Sequence, residues 1–231
     1  MLILGIETAT EQVGVAIGGH EGVIASFEVA RGRRHAEILA PAIEFVCRQA
    51  DVGLAELGVI AVDVGPGLFT GMRVGLASGK ALAQALRIPM IGISSLDLLA
   101  FPWRHTDRVV VPVIDARKGE VFWAAYRQVP GGLQQVVAPS VGPVDDLVAD
   151  LLARNQDVLL VGDGALRYRD EIIDGYHGEL ADDAYPSAGP LVQLAHAQAL
   201  REEWVSPREI EPIYLRAPDA LINWATRGTR R

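Results

Sequence analysis

Apolar and polar positions change their spacing most clearly between residues 59 and 86. Residues 59–64 are apolar with one exception and rich in β-branched side chains, which predicts a buried strand. A Gly-Pro-Gly turn at 65–67 ends that strand. From 71 to 86 the polar side chains fall on one narrow stripe, so we predict an otherwise apolar helix with Thr70 as its N-cap.

Gly71, Gly75 and Gly79 recur at every fourth residue of this helix and form a glycine ridge. Each interior glycine costs about 0.5–1 kcal/mol relative to alanine, so the ridge needs a compensating contact. A helix surface without side chains lets another backbone come close. We therefore expect the helix to pack on its own sheet and to receive a second helix at the ridge. A tight contact within the chain is the alternative.

The first hundred residues predict three strands and a helix, followed by strand, helix, strand and helix. These elements are strands 2–6, 13–17 and 23–30, helix 36–50, strand 59–64, helix 71–86, strand 90–93 and helix 95–101. The next hundred residues repeat the order. Their elements are strands 109–114, 121–129 and 133–137, helix 144–153, strand 158–161, helices 165–173 and 191–204, and an extended segment 210–215.

Two copies of a meander followed by alternating helix and strand predict an α/β protein with a duplicated ribonuclease H-like fold, as in the actin-like ATPase superfamily. Each lobe should hold a mixed sheet with helices. We place the N-terminal lobe, with the partner-docking helices, at 1–104 and the C-terminal lobe at 105–231.

Charge argues against unaided binding to nucleic acid. The 231 residues carry 29 acidic and 21 basic side chains, a net charge of −8. A partner would have to supply the positive surface for an RNA substrate. A basic cluster closes the sequence, at Arg227, Arg230 and Arg231, and we expect a solvated end there.

Compartment follows from two features. Cys47 is the single cysteine, so no intrachain disulfide can form, and a reducing compartment is expected. The first residues lack the basic and apolar regions of a signal peptide, and no apolar run approaches a membrane span. We expect a cytoplasmic protein.

Acidic and hydroxyl side chains at the ends of two strands are the candidate chemistry. Glu7, Thr8 and Thr10 follow the first strand, and Asp115 follows its counterpart in the second half. Turns at these positions approach phosphate in the actin-like superfamily. The two basic residues after Asp115 fit a phosphate cradle poorly, so these turns are at most vestigial nucleotide loops, or they only preserve the fold.

Several segments resemble the TsaB family, the dimerisation subunits of the bacterial complex that makes threonylcarbamoyladenosine (t6A) in tRNA. The segments are 6–10, 35–37, 65–75, 94–96 and 114–117, with a return at 212–216. The resemblance is dense up to about residue 125. Glu7 and Leu68 stand where the family usually has Asp and Ser, so Glu7 keeps the charge while Leu68 loses a hydroxyl.

The resemblance implies a pseudo-enzyme. TsaB is a paralogue of the catalytic subunit TsaD, which holds a metal through a His-x-x-x-His pair. That pair would fall at Ile93 and Asp97, and neither is histidine. No catalytic residue, metal ligand or cofactor is then expected in the isolated chain, and ATP or ADP at a heterodimer interface stays open.

The resemblance also implies partners. We expect a heterodimer with TsaD through helices 36–50 and 70–86, a larger complex with the ATPase TsaE, contact with tRNA only through TsaD, and a homodimer when the chain is alone. The expected interface residues are Leu39, Ile43, Val46, Gly71, Met72, Gly75, Leu76 and Gly79.

Two enzymatic alternatives remain at this point. The first is a small-molecule kinase or ATPase of the actin-like superfamily, which would use Asp115 in the cleft. The second is a metallopeptidase-like protein. The five histidines are scattered without metal-ligand spacing, which disfavours the second alternative.

Overall fold

A computed structural model describes residues 1–31 and 34–216. Ten strands, seven α-helices and two short 3-10 helices, Leu54–Glu56 and Phe101–Trp103, lie in this part of the chain. The strands are β1 Leu2–Glu7, β2 Gln12–Gly19, β3 Gly22–Ala30, β4 Leu57–Asp63, β5 Met90–Ile93, β6 Val109–Arg117, β7 Glu120–Val129, β8 Gly132–Pro143, β9 Val158–Val161 and β10 Glu179–Leu180. The helices are α1 His35–Ala50, α2 Phe69–Leu86, α3 Ser95–Ala100, α4 Val144–Arg154, α5 Asp163–Arg167, α6 Arg169–Gly175 and α7 Ala188–Ala199.

Each half of the chain forms a five-stranded mixed sheet. The orders are β3-β2-β1-β4-β5 and β8-β7-β6-β9-β10, which are the same order counted within each half. The three meander strands pair antiparallel, and the last two strands add in parallel. The shared topology confirms the predicted duplicated ribonuclease H-like fold.

The first sheet is covered on both faces, as its central parallel strands β1 and β4 require. One face packs against α1 and α2, with Leu39 and Val46 of α1 in the core. The other face packs against α7 through Leu191, Val192 and Ala195. Both central strands are therefore buried almost along their whole length.

The last helix of each half of the chain packs on the sheet of the other half. In the second sheet, α4 and α6 share one core with β6, β7 and β9, while α3 packs on the opposite face through Leu96 and Leu99. Reciprocally, α7 packs on the first sheet. The predicted boundary, residue 104, lies between β5 and β6, the last strand of the first sheet and the first strand of the second, while α7 packs in the core of the first sheet. The exchanged helices tie the lobes together.

Several predicted elements differ at their ends. α2 begins at Phe69 with Leu68 as N-cap, so Thr70 lies inside the helix and does not cap it. The predicted helix 165–173 is divided at Tyr168 into α5 and α6. The segment 210–215 forms no strand, although the Ile213 amide donates to the Val64 carbonyl at 2.7 Å. The basic cluster of the tail lies outside the described residues.

The glycine ridge faces the chain's own sheet, which corrects the expectation of a second helix there. A Cβ at Gly71 would overlap the Thr8 carbonyl oxygen, and one at Gly75 would overlap the Thr8 hydroxyl. A Cβ at Gly79 would come within 2.6 Å of a Val62 methyl. The ridge thus lets α2 lie directly on β1 and β4, the tight contact within the chain that was the alternative.

The other predicted interface residues are also buried within the chain. All eight are buried within the chain itself: Leu39, Ile43, Val46, Gly71, Met72, Gly75, Leu76 and Gly79. The error is one of face, because an apolar stripe marks the side of a helix that covers its own sheet first. The opposite sides of α1 and α2 are the ones left exposed.

Replacing Gly71 with alanine should destabilise the protein by about 1–3 kcal/mol, because the new methyl group meets backbone that cannot move aside. Gly189→Ala in α7 is the matched control: its Cβ would lie 3.6 Å from the nearest neighbour, Val23. Urea denaturation measures both free energies of unfolding. Equal values for the two variants would contradict the close approach of α2 to β1.

Candidate functional site: interlobe cleft and outer helical face

The turn after β1 is organised around the carboxylate of Glu7. Glu7 is fully buried, and its Oε1 accepts a 2.8 Å hydrogen bond from the Ala9 amide. The Thr8 hydroxyl donates to the Gly71 carbonyl at 2.8 Å, so the turn is fastened to α2. His35 of α1 lies 2.7 Å from the Thr10 carbonyl through its Nε2. The predicted loop residues therefore serve the packing of β1 against both helices.

Asp63, at the end of β4, is a second buried acid at the same edge of the sheet. Its Oδ1 accepts from the Ser95 hydroxyl at 2.6 Å and from the Gly65 amide at 2.7 Å. The carboxylate thereby ties the Gly-Pro-Gly turn to the start of α3. Asp63 Oδ2 and Glu7 Oε2 have no hydrogen-bond partner within the described chain.

Burial dominates the ionisation of these acids. It raises the pKa of Asp63 to about 7, against the hydrogen bonds from Ser95 and Gly65 that lower it. Burial also raises the pKa of Glu7 well above its usual range, and the nearby Asp63 raises it further. The pKa of Asp97 in α3 is raised for the same reason. A raised pKa favours the protonated carboxyl, which is a poorer ligand for a cation than the carboxylate.

The matching turn of the second lobe is closed by arginine. The amide and one guanidinium nitrogen of Arg117 donate to Asp115, at 2.9 and 3.0 Å. Another nitrogen of Arg117 lies 2.5 Å from Glu11 of the first lobe. Arg117 thus spans the cleft between the lobes. Arg167 adds a longer ion pair with Asp115, at 3.3 Å.

The residues of this cleft do not fit a nucleotide phosphate. The amides of Ala9, Asp115 and Arg117, which would cradle phosphate oxygens, donate to the carboxylates of Glu7, Asp163 and Asp115 instead. Within the described residues, no group of three His, Cys, Asp or Glu side chains could hold a metal ion. Glu7, Thr8, Thr10 and Asp115 thus lie in the predicted turns, and their polar atoms bond within the fold except Glu7 Oε2, which has no partner in the described chain.

A second candidate site is the outer face of α1 and α2. Five exposed alanines are spaced along this face, and their short side chains leave the backbone of both helices accessible to a partner. They are Ala36, Ala40, Ala77, Ala81 and Ala85. The two helices contact each other on the first sheet and share one core, so this outer helical face is continuous and rigid.

An aromatic cluster lies at the start of α2. The Arg73 guanidinium stacks 3.8 Å above the centre of the Phe69 ring, and its Nε donates to the Tyr214 hydroxyl at 3.1 Å. Phe69 and Tyr214 are themselves 5.5 Å apart and remain 39% and 43% exposed. Such preformed aromatic and arginine groups are typical of the residues that dominate protein interfaces.

Comparison with known proteins decides the family. A family model described as TsaD, tRNA N6-adenosine threonylcarbamoyltransferase, matches residues 27–224. The tRNA threonylcarbamoyladenosine biosynthesis protein TsaB of Bacillus subtilis is 31% identical over 226 residues, covering 97% of this chain and 98% of the relative. TsaB of Escherichia coli is 30% identical over 227 residues, covering 94% and 95%. The chain belongs to the TsaB family. The resemblance stated from the sequence is confirmed.

Solved structures agree with this assignment. A Pseudomonas aeruginosa protein described as similar to the peptidase YeaZ superposes with a TM-score of 0.83 at 30% identity, covering 93% of this chain and 99% of that one. YeaZ of the same organism superposes with a TM-score of 0.80 at 28% identity, covering 93% of this chain and 100% of that one. The ethanolamine utilization protein EutJ of Carboxydothermus hydrogenoformans superposes with a TM-score of 0.52 at 12% sequence identity, a likeness of fold alone.

Membership in TsaB places the chain in t6A biosynthesis, and two structural findings accompany that role. Ile93 and Asp97 stand at the two positions that align with the metal-binding histidine pair of TsaD. Ile93 is a buried apolar side chain. Burial raises the pKa of Asp97, although a hydrogen bond with Tyr126 partly opposes this. In the described part of the chain, no helix has both the length and the apolar character to cross a membrane.

Sequence reasoning missed three parts of the site. Asp63 looked like an interruption of an apolar strand, and its isolation there was the available signal. The bridge from Arg117 to Glu11 joins residues of different lobes, which no local pattern announces. The outer helical face was overlooked because its alanines have the same apolar character as the buried side.

Asp63→Asn should change how stability depends on pH. Between pH 4 and 7 the native protein holds the Asp63 proton while the unfolded chain releases it, so stability falls as pH rises. The variant should lose the part of the slope that Asp63 contributes and gain up to about 4 kcal/mol relative to wild type across the interval, while the raised pKa values of Glu7 and Asp97 keep part of the slope. Denaturation curves at each pH measure the free energy of unfolding. The exposed control Asp145→Asn should keep the wild-type slope, and a slope as steep as wild type in Asp63→Asn would refute the raised pKa.

Proposed function

We propose that this TsaB family member is a non-catalytic subunit that binds and activates the transferase TsaD in t6A biosynthesis. The observation that carries the proposal is the outer helical face of α1 and α2, which is continuous and exposes five alanines along the two helices. A helix pair of another protein can lie close to such a face. The inner face of the same helices is fully committed to the first sheet.

Likeness to the transferase supports the choice of partner. The TsaD family model matches most of this chain, so the two proteins share a fold and with it the position of the first two helices. Related chains can pair through equivalent surfaces about a pseudo-twofold axis. The same logic favours a homodimer through the outer helical face when TsaD is absent.

The cleft supports a role without catalysis. Its carboxylates accept hydrogen bonds from amides, pair with Arg117 or have pKa values raised by burial, and these features give no support to water activation or metal binding there. We propose that the interlobe cleft of the isolated chain binds no nucleotide and that ATP or ADP, if it acts at the cleft, binds where a partner supplies further residues. A kinase or metallopeptidase has no observation in its favour here.

Charge sets the division of labour in the complex. With a net charge of −8, this chain is a poor ligand for tRNA, so TsaD would make the tRNA contacts. TsaE would join the complex as its ATPase. The aromatic cluster of Phe69, Arg73 and Tyr214 borders the outer helical face and would supply contact area that is already ordered before binding.

Ala77→Arg should abolish co-purification with TsaD, because it places a long charged side chain in the middle of the outer helical face. We expect the affinity to fall by about 100-fold or more, a cost of about 3 kcal/mol. The exposed position should leave the free energy of unfolding almost unchanged. Pull-down and titration with purified TsaD measure the effect.

Ala153→Arg is the matched control, since Ala153 is an equally exposed alanine on α4 of the other lobe. It should bind TsaD like wild type and support t6A formation in a reconstituted reaction, whereas Ala77→Arg should not. Full binding by Ala77→Arg, or loss of binding in both variants, would move the interface away from α1 and α2.

A further inference from the structure

A cavity of about 600 Å³ lies at the far end of α2, away from the cleft. The helix ends there at Arg87, and the segment after α7 forms the opposite wall. Its lining includes Gln84, Arg87, Ile88, Trp204, Pro207 and Arg208. The volume is in the range of small-molecule sites, and the lining combines an aromatic plane with two positive charges.

Two arginines of the cavity lining carry positive charge on an acidic chain. Several other arginines in the described residues pair with carboxylates, as Arg154 does with Asp150 and Arg201 with Glu203, while Arg73 and Arg104 lie over aromatic rings. Within the described chain, the guanidinium groups of Arg87 and Arg208 have no ion-pair partner. The carboxylate of Glu209 caps the adjacent turn by accepting from the Ser206 amide at 2.9 Å. The cavity therefore keeps two positive charges available for a ligand.

The walls of the cavity are held in place without a ligand. Val205 pairs with Met90 of β5 through two backbone hydrogen bonds of 2.9 Å, which fixes the segment that carries Trp204. Ile210 is buried in the first core and fixes its other end. Arg87 occupies a left-handed conformation, with φ 58°, where glycine would be less strained.

Trp204 supplies the aromatic surface. It is 38% exposed although most of its neighbours in the cavity are aliphatic or proline. An accessible indole next to guanidinium groups is the combination on which nucleobases stack while their phosphates are neutralised. An anion without a ring would leave the indole unused, and a ring without an anion would leave both arginines unpaired.

We propose that this cavity binds a nucleoside monophosphate unit, with its base against Trp204 and its phosphate at Arg87 and Arg208. The unit is either a free nucleotide or the 5′-phosphorylated end of an RNA strand. The site lies outside the interlobe cleft, at the C-terminal end of α2, and it can be tested on the chain alone without TsaD.

The test is titration of the full chain with AMP, followed through the indole N–H resonance of Trp204, which is assigned by its loss in Trp204→Phe. AMP should shift this resonance saturably, while adenosine and inorganic phosphate should bind at least about tenfold more weakly. Titration with the 5′-phosphorylated trinucleotide of adenosine separates the two sources. Tighter binding of AMP assigns a free nucleotide, and tighter binding of the trinucleotide assigns an RNA end.

Arg87→Gly and Arg208→Gln should each weaken AMP binding by about tenfold or more. Arg87→Gly also relieves the left-handed strain, so it should fold at least as stably as wild type and separate binding from folding. Arg201→Gln, outside the cavity, should bind AMP normally. The proposal is overturned if the Trp204 resonance does not shift at about 10 mM AMP or if both arginine variants bind AMP normally. It is also overturned if inorganic phosphate binds as tightly as AMP, or if pentaglutamate displaces AMP at a concentration below that of AMP.

Discussion

The close contact of α2 with β1 and β4 is the constraint on which the structure depends. Three glycines remove the side chains that would hold the helix away from the sheet, and Thr8 fills the space with both its carbonyl and its hydroxyl. The stability that glycine costs the helix is offset by packing over the whole length of the central strands. Everything at the end of β1 is positioned by this contact.

Two functional consequences follow from the same contact. The turn after β1 packs against α2, so its Thr8 hydroxyl and Ala9 amide bond within the fold, and burial raises the pKa of its acid, Glu7. At the same time α1 and α2 are pressed onto the sheet, and their outer sides form a firm surface. An arrangement that is unfavourable for an active centre is thus favourable for docking, which agrees with a subunit that works through its partner.

The fold was predictable from sequence to a large extent, because duplicated spacing of apolar runs determines the strand order of both halves. The family was predictable from a few segments, such as the turn at 65–67 and the glycines after it. The face of α2 was not predictable, since small residues occupy both sides and only the position of Thr8 distinguishes them. Long-range pairs such as Arg117 with Glu11, and the exchange of α3 and α7 between sheets, depend on tertiary structure alone.

The central claim is that TsaD covers the outer side of α1 and α2, and cysteine protection tests it most directly. In a background in which Cys47 is replaced by alanine, Ala77→Cys and Ala153→Cys each introduce one exposed thiol for reaction with a maleimide. The account predicts that saturating TsaD protects Ala77→Cys and leaves Ala153→Cys reactive. Unchanged reactivity of Ala77→Cys in the complex would contradict it.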